Sequence, residues 1–363
     1  MSYIFSTLDH VRAVKAWAAA HEGEATLDLV AFELEVKALH RYFTLYPQFL
    51  ARINGRLAHV PQITPEVFGF IGWLPYRPLR WPLSNDKLAF KQLLNGAGLP
   101  TPALWPSAAE AGSDYILKQS VGSFGVDLLG PFREGTVPSA TQSQAFARPD
   151  ARGSAFVEQF IEGRSLKVWF WGSSAFHAHL QGYPMATGDG ARSVRQLAAE
   201  RVQRLGMTLD TYKELPFLLQ SLAYQGIGFD EVPAAGKKLW LDFRYGRRLQ
   251  IENTTETEDN ALPRLPVQVR TQIDEVGRLL AREVQRTVME APLLYSVDGV
   301  IDVDGRAWWL EMNSNPIFPP TGYPHMLATL FGTPIPAHAE VPDAPAAMAA
   351  KHPAESADTS SRV

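Results

Sequence analysis

The sequence predicts a mixed α/β chain, of the α+β kind, built in several lobes. Three observations lead there. Short β-rich runs alternate with helical periodicity in the first 80 residues, and three apolar strands follow one another between 155 and 180. A long amphipathic repeat over 267–289 then runs directly into another strand pair. At 363 residues with 46% hydrophobic content, the chain is long enough for two or three cores rather than one. The expected division is a small N-terminal α/β lobe at 1–82, a central lobe at 83–154, a C-terminal lobe at 155–333 and a disordered tail at 334–363.

Tyr3–Phe5 reads as a short strand. Asp9 then caps a helix in which Val11, Val14, Trp17 and Ala18 recur at helical spacing. Ala25–Val30 reads as a second strand and Glu33–Tyr46 as a second helix, an order that favours a parallel sheet. The proline-rich run from Leu74 to Pro82 closes this lobe.

Ser84, Asn85 or Asp86 caps the next helix, which ends near Asn95 at Gly96 or Gly98; Pro100 and Pro102 forbid its continuation. Tyr115–Gln119 and Val126–Leu129 flank Val121-Gly122-Ser123-Phe124-Gly125 and predict a hairpin with a glycine-rich tip. The polar stretch 131–153 reads as a loop. Ala155–Ile161, Leu166–Trp171 and Ala175–Leu180 are strands, and Ser193–Arg204 is a helix. Val269, Ile273, Val276, Leu280, Val284 and Val288 define the amphipathic helix. From about Pro334 the Ala/Pro/Ser-rich composition predicts disorder.

Composition narrows the chemistry. There is no cysteine, which excludes disulfides, thiolate metal sites and a cysteine nucleophile. The net charge is −4 with no basic stripe, so no nucleic-acid partner is expected. The first residues lack a signal-peptide pattern, and no apolar run reaches the roughly 20 residues a membrane span needs. The expectation is a cytoplasmic protein with no membrane partner.

The most informative segment lies between Asp298 and Pro316. Glu311 and Asn313 are two apart on a strand and therefore project from one face. A turn at Asp304-Gly305 would bring Asp298 back beside them. Two carboxylates and an amide form an oxygen donor set that suits Mg²⁺. The alternative is a solvated hairpin, but the preceding Ala-Trp-Trp-Leu run argues for partial burial.

Lys118 ends a strand directly before the glycine loop. Backbone N–H groups of Gly122, Ser123, Phe124 and Gly125 are suited to folding over phosphates, with lysine as a point charge. Lys87 follows the Asn-Asp cap. The run Glu158, Gln159, Phe160, Ile161 suits an adenine slot, and Glu162 in the following turn offers an acid for ribose. His177 and His179 form a spaced pair with no third ligand nearby, which reads as structural.

In this order, the Asn-Asp-Lys helix, the lysine strand with its glycine loop, the glutamate strand and the Asp…Glu-x-Asn hairpin resemble the ATP-grasp superfamily of carboxylate–amine ligases. The branch with D-alanine–D-alanine ligase, glutathione synthetase and cyanophycin synthetase is the most similar, over about residues 84–320. The resemblance implies an ATP-grasp fold in which two α+β lobes clasp ATP. By position, it implies that Lys87 and Lys118 touch the phosphates and Gly122–Gly125 form a lid. Glu158 to Ile161 would line the adenine site, and Asp298, Glu311 and Asn313 would hold two Mg²⁺, for which Mn²⁺ may substitute. Lys167 falls where many relatives place an arginine near the phosphates.

The pattern departs in two places. Ser165 stands where the ribose-binding acid should align, which leaves Glu162 as the substitute acid. Ser296 stands where D-alanine ligases carry an arginine; Arg244, Arg247 or Arg248 could supply that charge, and the product is then not D-alanyl-D-alanine. The implied function is amide formation through an acylphosphate on amino-acid or peptide carboxylate and amine substrates, in a homodimer or homotetramer. The alternatives are a phosphotransferase on the same fold and a non-catalytic ATP-binding module.

Overall fold

The computed structural model describes residues 6–121, 128–139, 142–143, 146, 153–246, 249, 260–287 and 292–336, apart from the side chain of residue 56. The chain is a mixed α/β protein of antiparallel sheets, as the sequence predicts. Tyr3–Phe5, the tip 122–127, Arg247, Arg248, the end of the long helix beyond Thr287 and nearly all of the tail lie outside the described residues.

Helix α1 (Thr7–Ala20) opens with a capping box in which Ser6 and Asp9 satisfy each other's backbone N–H groups. Five strands follow: β1 (Glu24–Leu27), β2 (Leu34–Ala38), β3 (Arg41–Ile53), β4 (Arg56–Val60) and β5 (Val67–Leu74). They pair in the order β1-β2-β3-β4 with β5 also on β3, every pairing antiparallel. This corrects two expectations. Residues 33–46 are a β-hairpin and not a helix, and the sheet is not parallel. In β2 every second residue is buried, which is a strand period carried by helix-favouring residue types.

The core of this sheet contains Val14 and Trp17 from α1 and Leu45, Phe49 and Trp73 from the strands. Phe318 and helix α6 (Tyr323–Phe331), from the far end of the chain, complete it with Tyr323, Met326, Leu327 and Phe331.

Helix α2 (Lys87–Gly96) starts at Asp86, whose carboxylate accepts from the N–H groups of Leu88 and Ala89. A second sheet follows, β6-β9-β7-β8, made of β6 (Leu104–Trp105), β7 (Tyr115–Gln119), β8 (Leu128–Phe132) and β9 (Ala155–Gln159). The β7–β8 pairing is antiparallel as expected, with β8 described from Leu128 onward.

A third sheet carries β11-β10-β14-β15: β10 (Gly163–Trp171), β11 (Ser174–Gln181), β14 (Leu294–Asp302) and β15 (Ala307–Ser314). The turn at Glu162-Gly163 thus passes the chain from one sheet to another. Between β11 and β14 lie the β12–β13 pair (Met185–Thr187 with Lys238–Trp240), α3 (Val194–Gln203), α4 (Leu215–Tyr224) and α5 (Val267–Thr287).

Helix α5 packs under the third sheet through Val269, Ile273, Val276, Leu280 and Val284. It approaches closely because position 277 is glycine: a Cβ there would lie 2.3 Å from the Ser173 carbonyl and 3.1 Å from the Phe170 ring. Leu166, Val168, Phe170, Tyr295 and Val297 face this helix side. The opposite face is shared: Trp171, Phe176 and Leu294 pack into the core of the N-terminal sheet, and the remainder is left for the site.

Candidate functional site

That free face carries Ser165, Lys167 and Trp169 from β10, Asp298 and Val300 from β14, and Glu311 and Asn313 from β15, all lining one cavity of about 530 Å³. Strand register explains the convergence. Lys167 stands opposite Asp298, Asp298 opposite Glu311, and Ser296 opposite Asn313. A bulge at Asp298/Gly299 re-aims the strand at this point.

The floor is a charge network. Lys167 is ion-paired with Asp298. Asn313 donates from Nδ2 to the second Asp298 oxygen at 3.1 Å. Lys87 reaches Glu311 at 3.3 Å from the first turn of α2. Burial pushes the Asp298 carboxyl above its ordinary range; Lys167 pulls it back, and the Glu311 charge pushes it up further.

A second network forms the wall between α2 and the β9 strand. Glu158 is fully buried and holds two ammonium groups, Lys118 at 2.5 Å and Lys91 at 2.7 Å. Burial alone would raise Glu158; the Lys118 and Lys91 charges outweigh it and keep the carboxyl below its ordinary range. Burial also lowers Lys91, against the pull of Glu158 and aided by Lys118. The two directions conflict for the ion pair. The ionised form of Glu158 is the firmer of the two, because a single carboxylate there meets two cations. Lys91 was not singled out from the sequence. Its signal is the spacing Lys87-x-x-x-Lys91, which puts both lysines on one face of α2.

The remaining candidates divide clearly. Lys87, Lys118, Glu158, Gln159, Phe160, Ile161, Ser165, Lys167 and Arg244 line the cavity with Asp298, Glu311 and Asn313. Glu158 spends its carboxylate on lysines. Gln159 exchanges backbone and side-chain hydrogen bonds with Ala103, and the Phe160 ring packs among Tyr224, Trp240 and Phe243. Glu162 is exposed and outside the lining.

Arg244 enters the cavity wall with its charge already engaged by Asp242 at 2.7 Å and Glu214 at 3.0 Å, its guanidinium stacked on Phe217. Ser296 is fully buried with its hydroxyl unpartnered, next to Trp169. His177 bonds Thr321 and His179 packs on Tyr245, so the pair is structural. Gly122, Ser123, Phe124, Gly125, Arg247 and Arg248 lie outside the described residues.

Among the described residues no group of three or more His, Asp or Glu is placed to hold a metal ion. The trio instead offers two carboxylates and an amide. Its donor set fits a hard divalent cation: all ligands are oxygens, and burial together with the neighbouring Glu311 charge makes Asp298 costly to ionise, against the pull of Lys167. A cation placed there would relieve that cost.

No family model and no curated protein matches the chain. A search of solved structures returns ligases and synthetases of low identity. The bifunctional glutathione synthetase from Pasteurella multocida matches at 15% identity and TM-score 0.35, over 89% of this chain and 43% of that one. N5-carboxyaminoimidazole ribonucleotide synthetase from Thermotoga maritima matches at 11% and 0.34, over 70% and 51%. The D-alanine–D-alanine ligase from Bacillus anthracis matches at 13% and 0.33, over 65% and 58%. The chain spans about half the length of these structures. Glutathione synthetase and D-alanine–D-alanine ligase are enzymes whose branch the motifs resemble. Among the described residues no helix is long and apolar enough to cross a membrane.

Proposed function

We propose that the chain is an ATP-dependent carboxylate–amine ligase of the ATP-grasp type, forming an amide bond through an acylphosphate and releasing ADP and phosphate. One observation carries the reading: Asp298, Glu311 and Asn313 converge with Lys87, Lys118 and Lys167 on a single cavity. Anionic oxygens for a cation and ammonium groups for phosphates are what a magnesium–nucleotide site needs.

In this reading Asp298, Glu311 and Asn313 hold Mg²⁺, which when bound supplies neutralisation of the triphosphate charge. Lys118, already poised on Glu158, presents a cation to phosphate oxygens. Lys87 and Lys167, ion-paired with Glu311 and Asp298, would add positive charge beside the phosphates. A substrate carboxylate attacks the γ-phosphorus, ADP leaves, and the carboxyl carbon gains the phosphate leaving group it lacked. An amine then attacks that carbon, the C–O bond to phosphate breaks, and the proton lost from nitrogen leaves with the phosphate. The cationic wall stabilises the negative charge that develops in both steps.

Amino acids or short peptides are the proposed substrates, and a cytoplasmic homo-oligomer the proposed setting. The division at 82/83 and 154/155 is proposed to separate an N-terminal lobe from the two clasping lobes. The test is ADP and phosphate release with candidate carboxylates, with and without amines. The expected result is release that depends on both. ADP formation that ignores the amine would replace the ligase with a phosphotransferase. Background release with every pair tried would favour a non-catalytic nucleotide-binding module.

A further inference from the structure

Lys167 is held by more than its carboxylate. Its ammonium pairs with Asp298 and also lies over two aromatic rings, with Nζ 5.7 Å from the Trp169 centroid and 5.4 Å from the Tyr245 centroid. Both distances fall within the roughly 6 Å over which a ring face attracts a cation. The lysine side chain is only 14% exposed, so water screens this attraction weakly. Lys167, Trp169 and Tyr245 all line the cavity.

Strand period and one loop build this aromatic box. Lys167 and Trp169 are two apart on β10 and share a face. The Trp169 ring is fixed: its indole N–H donates to the Ile317 carbonyl at 2.7 Å, and His177 packs T-shaped against it at 5.2 Å. Tyr245 comes from the loop after β13, which is pinned on both sides of it. Arg244 is held by Asp242 and Glu214, and the Gly246 N–H donates to the Gln181 side chain at 3.0 Å. His179, opposite Lys167 in the β10–β11 register, packs T-shaped on the Tyr245 ring at 5.5 Å.

A lysine ammonium is a point charge on a flexible stem, and one carboxylate gives it a partner without fixing its approach. Two ring faces fix the approach by closing off other rotamers while attracting the charge. They are also poor ligands for a hard divalent cation, which takes oxygens. Their hold on Lys167 is therefore separate from that of Asp298, the carboxylate a metal would share.

We propose that Tyr245 is a positioning residue that, with Trp169, keeps the Lys167 ammonium at the cavity floor while Asp298 serves a metal ion; this rests on the magnesium–nucleotide reading of the site. The ring face does this, and the tyrosine hydroxyl is dispensable.

The test is a double-mutant cycle on the full chain with Tyr245→Leu, Lys167→Met and the two combined, and Tyr245→Phe as the conservative variant. Tyr245 is partly exposed, so these variants should fold. The first readout is calorimetric affinity for a non-hydrolysable ATP analogue with Mg²⁺. Tyr245→Leu should weaken it about two- to tenfold, Tyr245→Phe should keep wild-type affinity, and Tyr245→Leu should add nothing once Lys167 is Met. A ring that only fills space would cost the same with or without the ammonium, so additive losses overturn the proposal. A loss in Tyr245→Phe equal to that in Tyr245→Leu overturns it as well. The second readout needs no nucleotide or metal: denaturant midpoints of the same proteins should show Lys167 and Tyr245 coupled by about two- to fivefold in the folding equilibrium. Coupling without any nucleotide binding keeps Tyr245 on Lys167 and removes the nucleotide site. Independent effects in this second cycle overturn the proposal and leave the nucleotide site standing.

Discussion

Glu158 and the Asp298–Glu311 pair both meet lysines, yet in opposite proportion and at different depth. Glu158 is sealed in the wall with two ammonium groups, its side chain 1% exposed. Asp298 and Glu311 lie on the cavity floor at 21% and 23%, with one lysine each. The first array has more positive charge than its carboxylate can balance, which suits an anion arriving at Lys118. The second has carboxylate oxygens to spare, which suits a metal. The pKa directions agree: Glu158 is held down and Asp298 pushed up. One array is built to stay ionised and hold α2 to β9, and the other is costly until a cation arrives.

The largest expected effect breaks the floor. Glu311→Ala should lose turnover by about 10²- to 10³-fold or more with the fold intact by circular dichroism. ADP formation at the wild-type rate would remove Glu311 from the metal site.

Next is the wall. Glu158→Gln leaves Lys91 buried without its counter-ion and should cost about 3–5 kcal/mol of stability, read from denaturant midpoints. A cost under about 1 kcal/mol would mean that the array is not structural.

The third test is pH. A carboxyl whose folded pKa is depressed contributes stability that is present above its unfolded pKa and lost as pH falls through the folded value, so Glu158 should set part of the acid limb. Asp298 has the opposite sign: its contribution is present below its unfolded pKa and lost as pH rises through the raised folded value. Stability profiles of Glu158→Gln and Asp298→Asn from pH 3 to 7 should diverge, the first losing its acid limb and the second gaining on the neutral side. Parallel profiles would undo the contrast.

The smallest effect is expected at Lys118→Ala, which should weaken nucleotide binding about tenfold by calorimetry, roughly 1.4 kcal/mol. Unchanged affinity would place the phosphates elsewhere.

Where a signal was local, the sequence reading matches the structure. Asp86 caps α2, Asp304-Gly305 turns the β14–β15 hairpin, and the 3.6-residue repeat traces α5. The 33–46 segment fails because its turn is made by Leu39 and His40, both at positive φ, with no Gly, Asn or Asp to announce it. The α4 and α6 helices were also missed, since their short apolar runs have no contrasting polar face to set the period. At the site, the convergence of Asp298, Glu311 and Asn313 could be assembled from strand period and one turn. Lys91 and His59 could not, because each acquires its meaning from a partner 67 or 256 positions away in the chain, at Glu158 or Asn315. Such pairings depend on how sheets pack, which no local pattern encodes.

His10 Nδ1 on α1 shares a hydrogen bond of 2.9 Å with the Tyr323 hydroxyl, which accepts from the Trp73 N–H at 3.0 Å. The first helix is thus bonded to the last one described, with Phe318, Met326 and Phe331 filling the same core. During synthesis the N-terminal sheet must emerge with this apolar face uncovered. It can close only after residue 331 has left the ribosome, so the first lobe made is the last to be finished.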